Sequence, residues 1–375
     1  AASARRRASA QQASEDLAGP RRFPSWLAEA AVPRLPADDP AAVARVRDGL
    51  PVVLAEAPLC RHVLGKWSFE YLEAQMAGHS ECIVHVVPKD RCQFQRVYGK
   101  GLCEGAVMHM SFADFARRSA SEGSRHAYYM QGPLLGDDGF SASDHYGDSM
   151  RADVDAFSWS WLRKVFQRGD LGDLELHQFW VARNGALTPC HHDSRFENLH
   201  AQILGCKRFL LIPPDQTFHL YPYPIDHPLD RFSMVDFEDP RLDQFPGFAS
   251  ARGFEAVLSP GDVLYIPKYW WHHVTQGAGE NASLNFWCDQ PLPSDGEDDE
   301  ARGLAAMLSE GPAACRPLIA HRVAEALASD AWVEAYAAKA LPRGMRPGEL
   351  LTLAAGAWPA DARPELRAAG EGLRR

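Results

Sequence analysis

His191, Asp193 and Lys207 lie in one segment, TPCHHDSRFENLHAQILGCKRFLLIPP (188–214), whose other residues follow the pattern of buried strand. Buried charge is costly unless it is paired or holds a metal. Residues two apart on a strand share a face, so His191 and Asp193 can reach one point while His192 faces away. A histidine and a carboxylate that converge suggest a metal in need of a further ligand. LSPGDVLYIPKYWWHHV (258–274) supplies His272 and His273. These are neighbours on an expected strand, so only one of them points inward. Two histidines and one carboxylate make the facial triad that holds non-haem Fe(II) and leaves positions open for substrate and O2. A lone histidine is more often an ordinary core or surface residue. An H-x-D on one strand with a distant histidine on another favours the metal.

Lys207 opens KRFLLIPP and shares a face with Phe209 and Leu211. A lysine at the end of an apolar strand usually extends its ammonium to water. The sharper alternative is that it meets the far carboxylate of a dicarboxylic cosubstrate, with hydroxyls from Thr188 and Tyr129 beside it. Strict alternation would put Thr188 on the opposite face from His191. Pro189 lies between them and removes a ladder donor, so the parity can break there.

The elements that must position these residues are mostly strands. LELHQFWVA, NLHAQILG, KRFLLIPP, FEAVLS, DVLYIP, WWHHVTQ and ASLNFWC succeed one another from about 174 to 288, separated by Gly, Pro and Asp turns. The spacing predicts an antiparallel barrel or jelly roll, mainly β with flanking helices. Upstream, PVVLAEA (51–57) and AYYMQ (127–131) read as strands, and KWSFEYLEAQM (66–76) and FSWSWLRKVF (157–166) as helices. Ser111 with Asp114 three residues later marks a helix start. The insert 220–248 is Pro-rich and aromatic, and too long for a hairpin turn. Long ordered loops on β scaffolds tend to carry binding function.

Three regions are expected: a disordered tail over 1–25, a mainly β domain with an N-terminal α/β elaboration over 26–290, and an acidic linker with helices over 291–375. RPLIAHRVAEALASDAWVEAYAAKAL (316–341) has apolar residues at helical spacing. Its apolar residues Leu318, Ile319, Val323, Leu327, Trp332 and Tyr336 either pair with a second copy, giving a homodimer, or pack on the barrel of their own chain. No internal repeat is visible. No apolar run in the 375 residues is long enough to cross a bilayer, and the net charge of -10 argues against nonspecific nucleic-acid binding. The eight cysteines form no C-x-x-C pair, which points to reduced thiols in an intracellular protein, cytoplasmic or nuclear. The Ala-, Ser- and Arg-rich first 20 residues have the look of an organelle transit peptide, but Glu15 and Asp16 speak against it.

The segments TPCHHD, AQILGCKRFLLIPPDQ, LYPYPIDHPLDR, PGDVLYIPKYWWHHV and NFW, in this order, resemble the Jumonji C family of 2-oxoglutarate oxygenases. Within that family the chain is most similar to the asparaginyl hydroxylases typified by factor inhibiting HIF, over roughly residues 30 to 288. The resemblance implies a double-stranded β-helix, a cupin-like jelly-roll barrel, acting on a protein or peptide substrate. It implies Fe(II) held by His191, Asp193 and His272, which decides between His272 and His273. Lys207, Thr188 and Tyr129 match residues that bind 2-oxoglutarate, and Asn198 and Asn285 match amides lining that pocket. Gln131, Arg231 and Trp287 match the substrate side. The implied reaction uses O2, turns 2-oxoglutarate into succinate and CO2, and hydroxylates the substrate.

Three departures stand out. One extra residue separates Asp193 from Lys207, which loosens the placement of Asn198. Phe232 follows Arg231, where the asparaginyl hydroxylases carry a glutamine that contacts the target amide. The C-terminal part is longer. Two rival readings remain. Lysine demethylases, histidinyl hydroxylases and tRNA hydroxylases share the triad, although the acidic balance weighs against tRNA. A non-catalytic metal-binding cupin is the other, and it has no need of Lys207 with Tyr129.

Overall fold

The computed structural model describes residues 18–289, apart from 89–105, 122–123, 137–138, 140, 184, 194–195, 223–228 and 230. In chain order the elements are β1 (Ala28–Ala31), β2 (Arg34–Pro36), α1 (Pro40–Arg47), β3 (Val52–Ala55), α2 (Phe69–Gln75), β4 (Cys82–Pro88), β5 (Ala106–Met110), α3 (Phe112–Ala120), β6 (His126–Gly132), α4 (Asp148–Asp155) and α5 (Trp159–Gly169). Eight strands follow: β7 (Asp173–Arg183), β8 (Leu187–His191), β9 (Glu197–Leu204), β10 (Lys207–Ile212), β11 (Gly253–Leu258), β12 (Val263–Ile266), β13 (Trp271–Gln276) and β14 (Glu280–Asp289).

The helix starts follow local side-chain chemistry. Ser68 and Ser111 accept from the N–H of Tyr71 and Asp114, so each satisfies a donor that the first helical turn leaves open. Asp39 does the same before Pro40, whose missing N–H costs nothing at that position.

The last eight strands are divided four and four between two sheets, with only β10 and β11 consecutive in the same one. β7, β9, β12 and β14 join a nine-stranded sheet in the order β2-β3-β12-β9-β14-β7-β6-β4-β5. β8, β10, β11 and β13 join a five-stranded sheet in the order β1-β11-β10-β13-β8. This winding is a jelly roll, as expected from the strand spacing, in the double-stranded β-helix form that the resemblance implied.

Strand periodicity gives the large sheet two different faces. Phe179, Val181, Leu199, Ala201, Ile203, Leu284 and Phe286 pack on one side with Trp67, Phe69, Phe115 and Leu162. That is the main apolar core, covered by the helices. The alternate residues Asn198, His200, Gln202, Ser283 and Asn285 point the other way, into the barrel, and are also buried. The rest of the interior is mostly apolar: Phe209, Leu211 and Val274 from the small sheet form a second cluster with Leu264 and Ile266 from β12 of the large one. The barrel interior therefore sets a polar strip on β9 and β14 beside and opposite apolar surface.

The composition of residues 1–25 suggested a disordered tail, but its last part is packed. Ala18 and Phe23 are buried, Arg208 donates to the Gly19 carbonyl at 2.9 Å, and Arg21 forks onto Glu255. Composition missed this because the anchoring carboxylate is more than 200 residues away in sequence. The acidic linker, the 316–341 segment and residues 1–17 lie outside the described residues.

The turn from β9 to β10 is the tightest constraint on the barrel. Gly205 has φ +69°, and a Cβ there would stand 2.3 Å from the Glu280 carbonyl oxygen. Gly49 has a similar φ of +63° with nothing within 4 Å. Gly49→Ala should cost only the left-handed backbone penalty, about 1–2 kcal/mol. Gly205→Ala adds a backbone clash of about 1–3 kcal/mol. Denaturant midpoints should fall clearly further for Gly205→Ala, and equal midpoints would show that this close approach is not a constraint.

Candidate functional site

His191, Asp193 and His272 bring one ligand atom each to within 4.8 Å of one another. His191 Nε2 lies 3.7 Å from Asp193 Oδ1, and His272 Nε2 lies 3.8 Å from Asp193 Oδ2. Each imidazole hydrogen-bonds through Nδ1 to a backbone carbonyl two residues earlier, His191 to Pro189 at 2.9 Å and His272 to Trp270 at 3.0 Å. Since a carbonyl only accepts, Nδ1 carries the proton in both rings and both Nε2 lone pairs face the centre. This is the tautomer a metal needs, and the donor set of two imidazoles and one carboxylate fits Fe(II).

Electrostatics favour the same state. Burial, and then the neighbouring His272, push the pKa of His191 down to about 3, so it is neutral. Burial alone would raise that of Asp193. His272, His191 and the bonds from Trp287 and Asn198 outweigh burial and hold the carboxyl below its usual range. Asn198 Nδ2 and Trp287 Nε1 both donate to Asp193 Oδ2, at 2.7 and 2.9 Å.

β8 ends at His191, so Asp193 stands just beyond the strand instead of on it. The sequence expectation that both share a strand face is corrected in that respect. What holds the pair together is chain from the 220–248 insert. The His192 N–H bonds to the Arg231 carbonyl, the Ser233 N–H bonds to the Cys190 carbonyl, and Phe232 bridges His191. The expected break in parity at Pro189 is present. His272 pairs with His191 and Val274 with Thr188, so β8 carries an extra residue and Thr188 faces the same cavity as His191. His273 points away from the centre and stacks on Phe237 at 5.0 Å, and His192 meets Trp271 edge-on.

The cluster opens on a cavity of about 380 Å³. Tyr129, Thr188, Asn198, Lys207, Asn285, Arg231, Phe232 and Trp287 all line it with the three cluster residues. Lys207 does not extend to water: it is 2% exposed and donates to Ser283 Oγ at 2.6 Å and to Tyr129 OH at 3.3 Å. Burial pulls its pKa down to about 7, and burial pushes the Tyr129 phenol up.

Gln131 is the exception among the expected site residues. It is absent from the lining, and its side-chain oxygen meets His85 Nε2 at 3.0 Å. Phe232 lines the cavity, but its ring also stacks on His191 with centroids 5.2 Å apart and planes 20° from parallel. The sequence reading did not single out Gln178, Trp180, His200 or Ser283. The resemblance placed Asn198 and Asn285 in the pocket, and strand alternation counted from them was the available signal for His200 and Ser283, two residues along the same strands.

If Asn198 and Trp287 hold Asp193 for a metal, Asn198→Ala and Trp287→Phe should weaken divalent-metal affinity about tenfold or more. His272→Ala should abolish binding, and His273→Leu should leave it intact. A Co(II) absorbance titration reads all four. Binding lost in His273→Leu and kept in His272→Ala would show that the ligand assignment is displaced by one residue.

A cupin-like domain family profile matches residues 43–293. HSPB1-associated protein 1 homolog of Danio rerio is 40% identical over 129 residues, 34% of this chain and 28% of that protein. The matched region thus spans less than a third of that relative. Lysine-specific demethylase 8 of Danio rerio is 37% identical over 119 residues, 32% of this chain and 28% of the relative. tRNA wybutosine-synthesizing protein 5 of Danio rerio is 29% identical over 264 residues, 66% of this chain and 71% of the relative. With the profile covering well over half its length and a jelly roll beneath it, the chain belongs to the cupin-like domain family.

Proposed function

We propose that this protein is an Fe(II)- and 2-oxoglutarate-dependent oxygenase of the Jumonji C type that hydroxylates a protein side chain, with asparagine the first residue to test. One pairing carries the reading: the His191–Asp193–His272 cluster shares its cavity with a buried lysine whose hydrogen-bond partners are neutral hydroxyls. A buried cation is costly without a counter-charge. A structural metal site has no use for that cation, whereas a dicarboxylic keto acid uses both features. Among the described residues no helix is long and apolar enough to cross a membrane.

Fe(II) bound by His191, Asp193 and His272 would, with O2, couple conversion of 2-oxoglutarate to succinate and CO2 to hydroxylation of a substrate C–H bond. The chain's own residues position and shield that chemistry. Three ligands leave coordination positions free for the cosubstrate. Lys207 and Tyr129 bind the far carboxylate, with Thr188 on the same wall. Asn198 and Trp287 fix the orientation of Asp193. Trp180, with its ring 4.9 Å from that of Tyr129, closes the wall against water. Arg231, exposed at the cavity, and Trp287 face the arriving substrate.

The substrate class is the finer part of the proposal. A relative named as associated with HSPB1 favours protein partners. Gln131 is engaged with His85 and Phe232 offers no hydrogen bond, so a target asparagine amide would depend on Arg231. That predicts weaker selectivity for asparagine than a glutamine at 232 would give. A second reading, hydroxylation of a tRNA nucleoside, is favoured by the length of the match to the wybutosine protein. The net charge of -10 weighs against it. A homodimer through 316–341 belongs to the same proposal, and a monomeric mass at micromolar concentration would exclude it.

The decisive test is anaerobic addition of Fe(II) and 2-oxoglutarate, expected to give a metal-to-keto-acid charge-transfer band. Mass spectrometry of asparagine peptides and of tRNA after aerobic incubation then distinguishes the two substrates by which one gains an oxygen atom. The absence of both band and succinate would end the oxygenase reading.

Lys207→Ala should weaken 2-oxoglutarate binding by about one to two decades, the worth of a hydrogen bond to a charged group. Metal affinity should be unchanged, and Tyr129→Phe should do less. Because burial holds Lys207 at about 7, the empty site loses its cation as pH rises past that value. Binding then has to restore the proton, so 2-oxoglutarate affinity should fall with rising pH above 7 in wild type and stay flatter in Lys207→Ala. Equal affinities in the two proteins would remove the anchor assignment.

A further inference from the structure

Residues 18–23 cross the small sheet on the side turned away from the cavity. Ala18 packs with Cys206 and Val257, and Phe23 meets the His273 ring edge-on at 6.1 Å. The two arginines of this segment take hold of different parts of the molecule. Arg21 forks onto Glu255 of β11, which Arg208 of β10 also holds. Arg22 forks onto Glu238 of the 220–248 insert, Nε to Oε1 at 2.6 Å and Nη2 to Oε2 at 2.7 Å. Its Nη1 also donates to the Gly185 carbonyl at 3.3 Å. Gly185 lies two residues ahead of β8, the strand that ends at His191. One guanidinium therefore ties the start of that strand to the insert that packs on its end.

From Glu238 the insert runs back to the cluster through buried side chains. Phe237 stacks on His273, 17° from parallel, so insert and tail both press on the residue next to His272. The Val235 N–H donates to Ser233 Oγ at 3.1 Å, the Ser233 N–H to the Cys190 carbonyl at 2.9 Å, and Phe232 stacks on His191. We propose that Arg22 is a positioning residue: by joining Glu238 to Gly185 it holds the insert against β8 and so fixes where His191 stands in the cluster. This rests on the reading of the cluster as a metal site and deepens it. Isolated ion pairs in full contact with water contribute little. This pair differs, because the side chains of Arg22 and Glu238 are only 23% and 31% exposed and the fork is bidentate, with a third bond to backbone. Such a fork fixes geometry as well as charge. Arg21 makes a fork of the same kind next door, but to a strand three places from β8 in the sheet. The two neighbours therefore form a matched pair, alike in chemistry and different in what they hold.

The test compares Arg22→Ala, Glu238→Ala and the double variant with Arg21→Ala. Amide exchange is read by mass spectrometry on the metal-free proteins, and Co(II) affinity by absorbance. Peptides covering 187–193 and 231–238 should exchange about tenfold faster in Arg22→Ala, and as in wild type in Arg21→Ala. Co(II) should bind Arg22→Ala and Glu238→Ala about three- to tenfold more weakly, with an altered d–d absorption, and the double variant no more weakly than either alone. Arg21→Ala should keep wild-type affinity and absorption even where its denaturant midpoint falls as far as that of Arg22→Ala. If Arg22→Ala does not fold, Glu238→Gln, which keeps the side-chain shape and removes the charge, goes through the same two measurements. Wild-type exchange in Arg22→Ala overturns the inference. Equal loosening in Arg21→Ala does so too, since the tail would then add only overall stability. Faster exchange with unchanged Co(II) affinity and absorption also overturns it, because the fork would then not reach His191. Co(II) bound by His272→Ala as by wild type would end the metal reading and this inference with it. That failure is told apart by the exchange contrast, which is read without metal.

Discussion

The site depends on how one buried carboxylate is held. Asp193 lies past the end of β8, where no ladder bond fixes it, and both neighbouring histidines are turned toward it. A carboxylate in that position is tolerable only as an acceptor surrounded by donors. Asn198 and Trp287 supply them from β9 and β14, the two central strands of the large sheet. Both donate to Oδ2, so Oδ1 keeps the freer lone pairs. The direction of those bonds then propagates. The orientation of Asn198 dictates that of Asn285, and Asn285 dictates the tautomer of His200. A single acceptor at one end of the chain thus determines which atom is bare at the other.

The architecture makes this affordable in stability because the two faces of the large sheet serve different purposes. Its outer face carries the apolar core with the helices, so the inner face is released from that task and can hold amides, a hydroxyl and imidazoles. Lys207 is the extreme case. Its own strand places it on the same face as Phe209 and Leu211, while its ammonium reaches across to Ser283 and Tyr129. A cation supported only by neutral hydroxyls is poorly stabilised, which is what its depressed pKa expresses. An anion entering the cavity would reverse that penalty, so the strain lies where binding can relieve it.

Much of this was legible in the sequence because strand alternation and turn residues are local signals. β7 and β9 to β14 each correspond to an apolar run bounded by Gly, Pro or Asp, and the Ser111 helix start follows from side-chain capping, whereas the helix expected over 66–76 begins only after Ser68, a cap the reading did not single out. β1 and β2 were not legible: AEAA and RLP have no alternation of their own and are strands because β11 and β3 lie beside them. β4 was legible but not singled out: CIVHVVP is a β-branched run like those that were. The cluster itself was readable from H-x-D and WWHH, down to the parity break at Pro189. Its support was not, because Arg231, Phe232 and Ser233 reach His191 and its neighbours from about 40 residues away. His200 escaped notice for a related reason. Between Leu199 and Ala201 it reads as a core histidine, and only Asn285, from a strand 85 residues later, shows that one nitrogen is spoken for and the other is not.

Phe232 illustrates how one position can serve two demands that conflict. As a lining residue beside Arg231 it is placed to meet whatever approaches the cluster. As the ring stacked on His191 and bridged to its backbone, it fixes the orientation of a candidate metal ligand. A glutamine there would offer an amide to the incoming group but would give up the aromatic stack, worth about 0.5–1.5 kcal/mol beyond its area. The phenylalanine favours the ligand over the substrate. Under the proposed reading, selectivity among the described residues of this face falls to Arg231 and Trp287, and Trp287 already donates its N–H to Asp193. An extended segment held by shape and charge along its length would suit such a mouth better than a single amide read by paired hydrogen bonds.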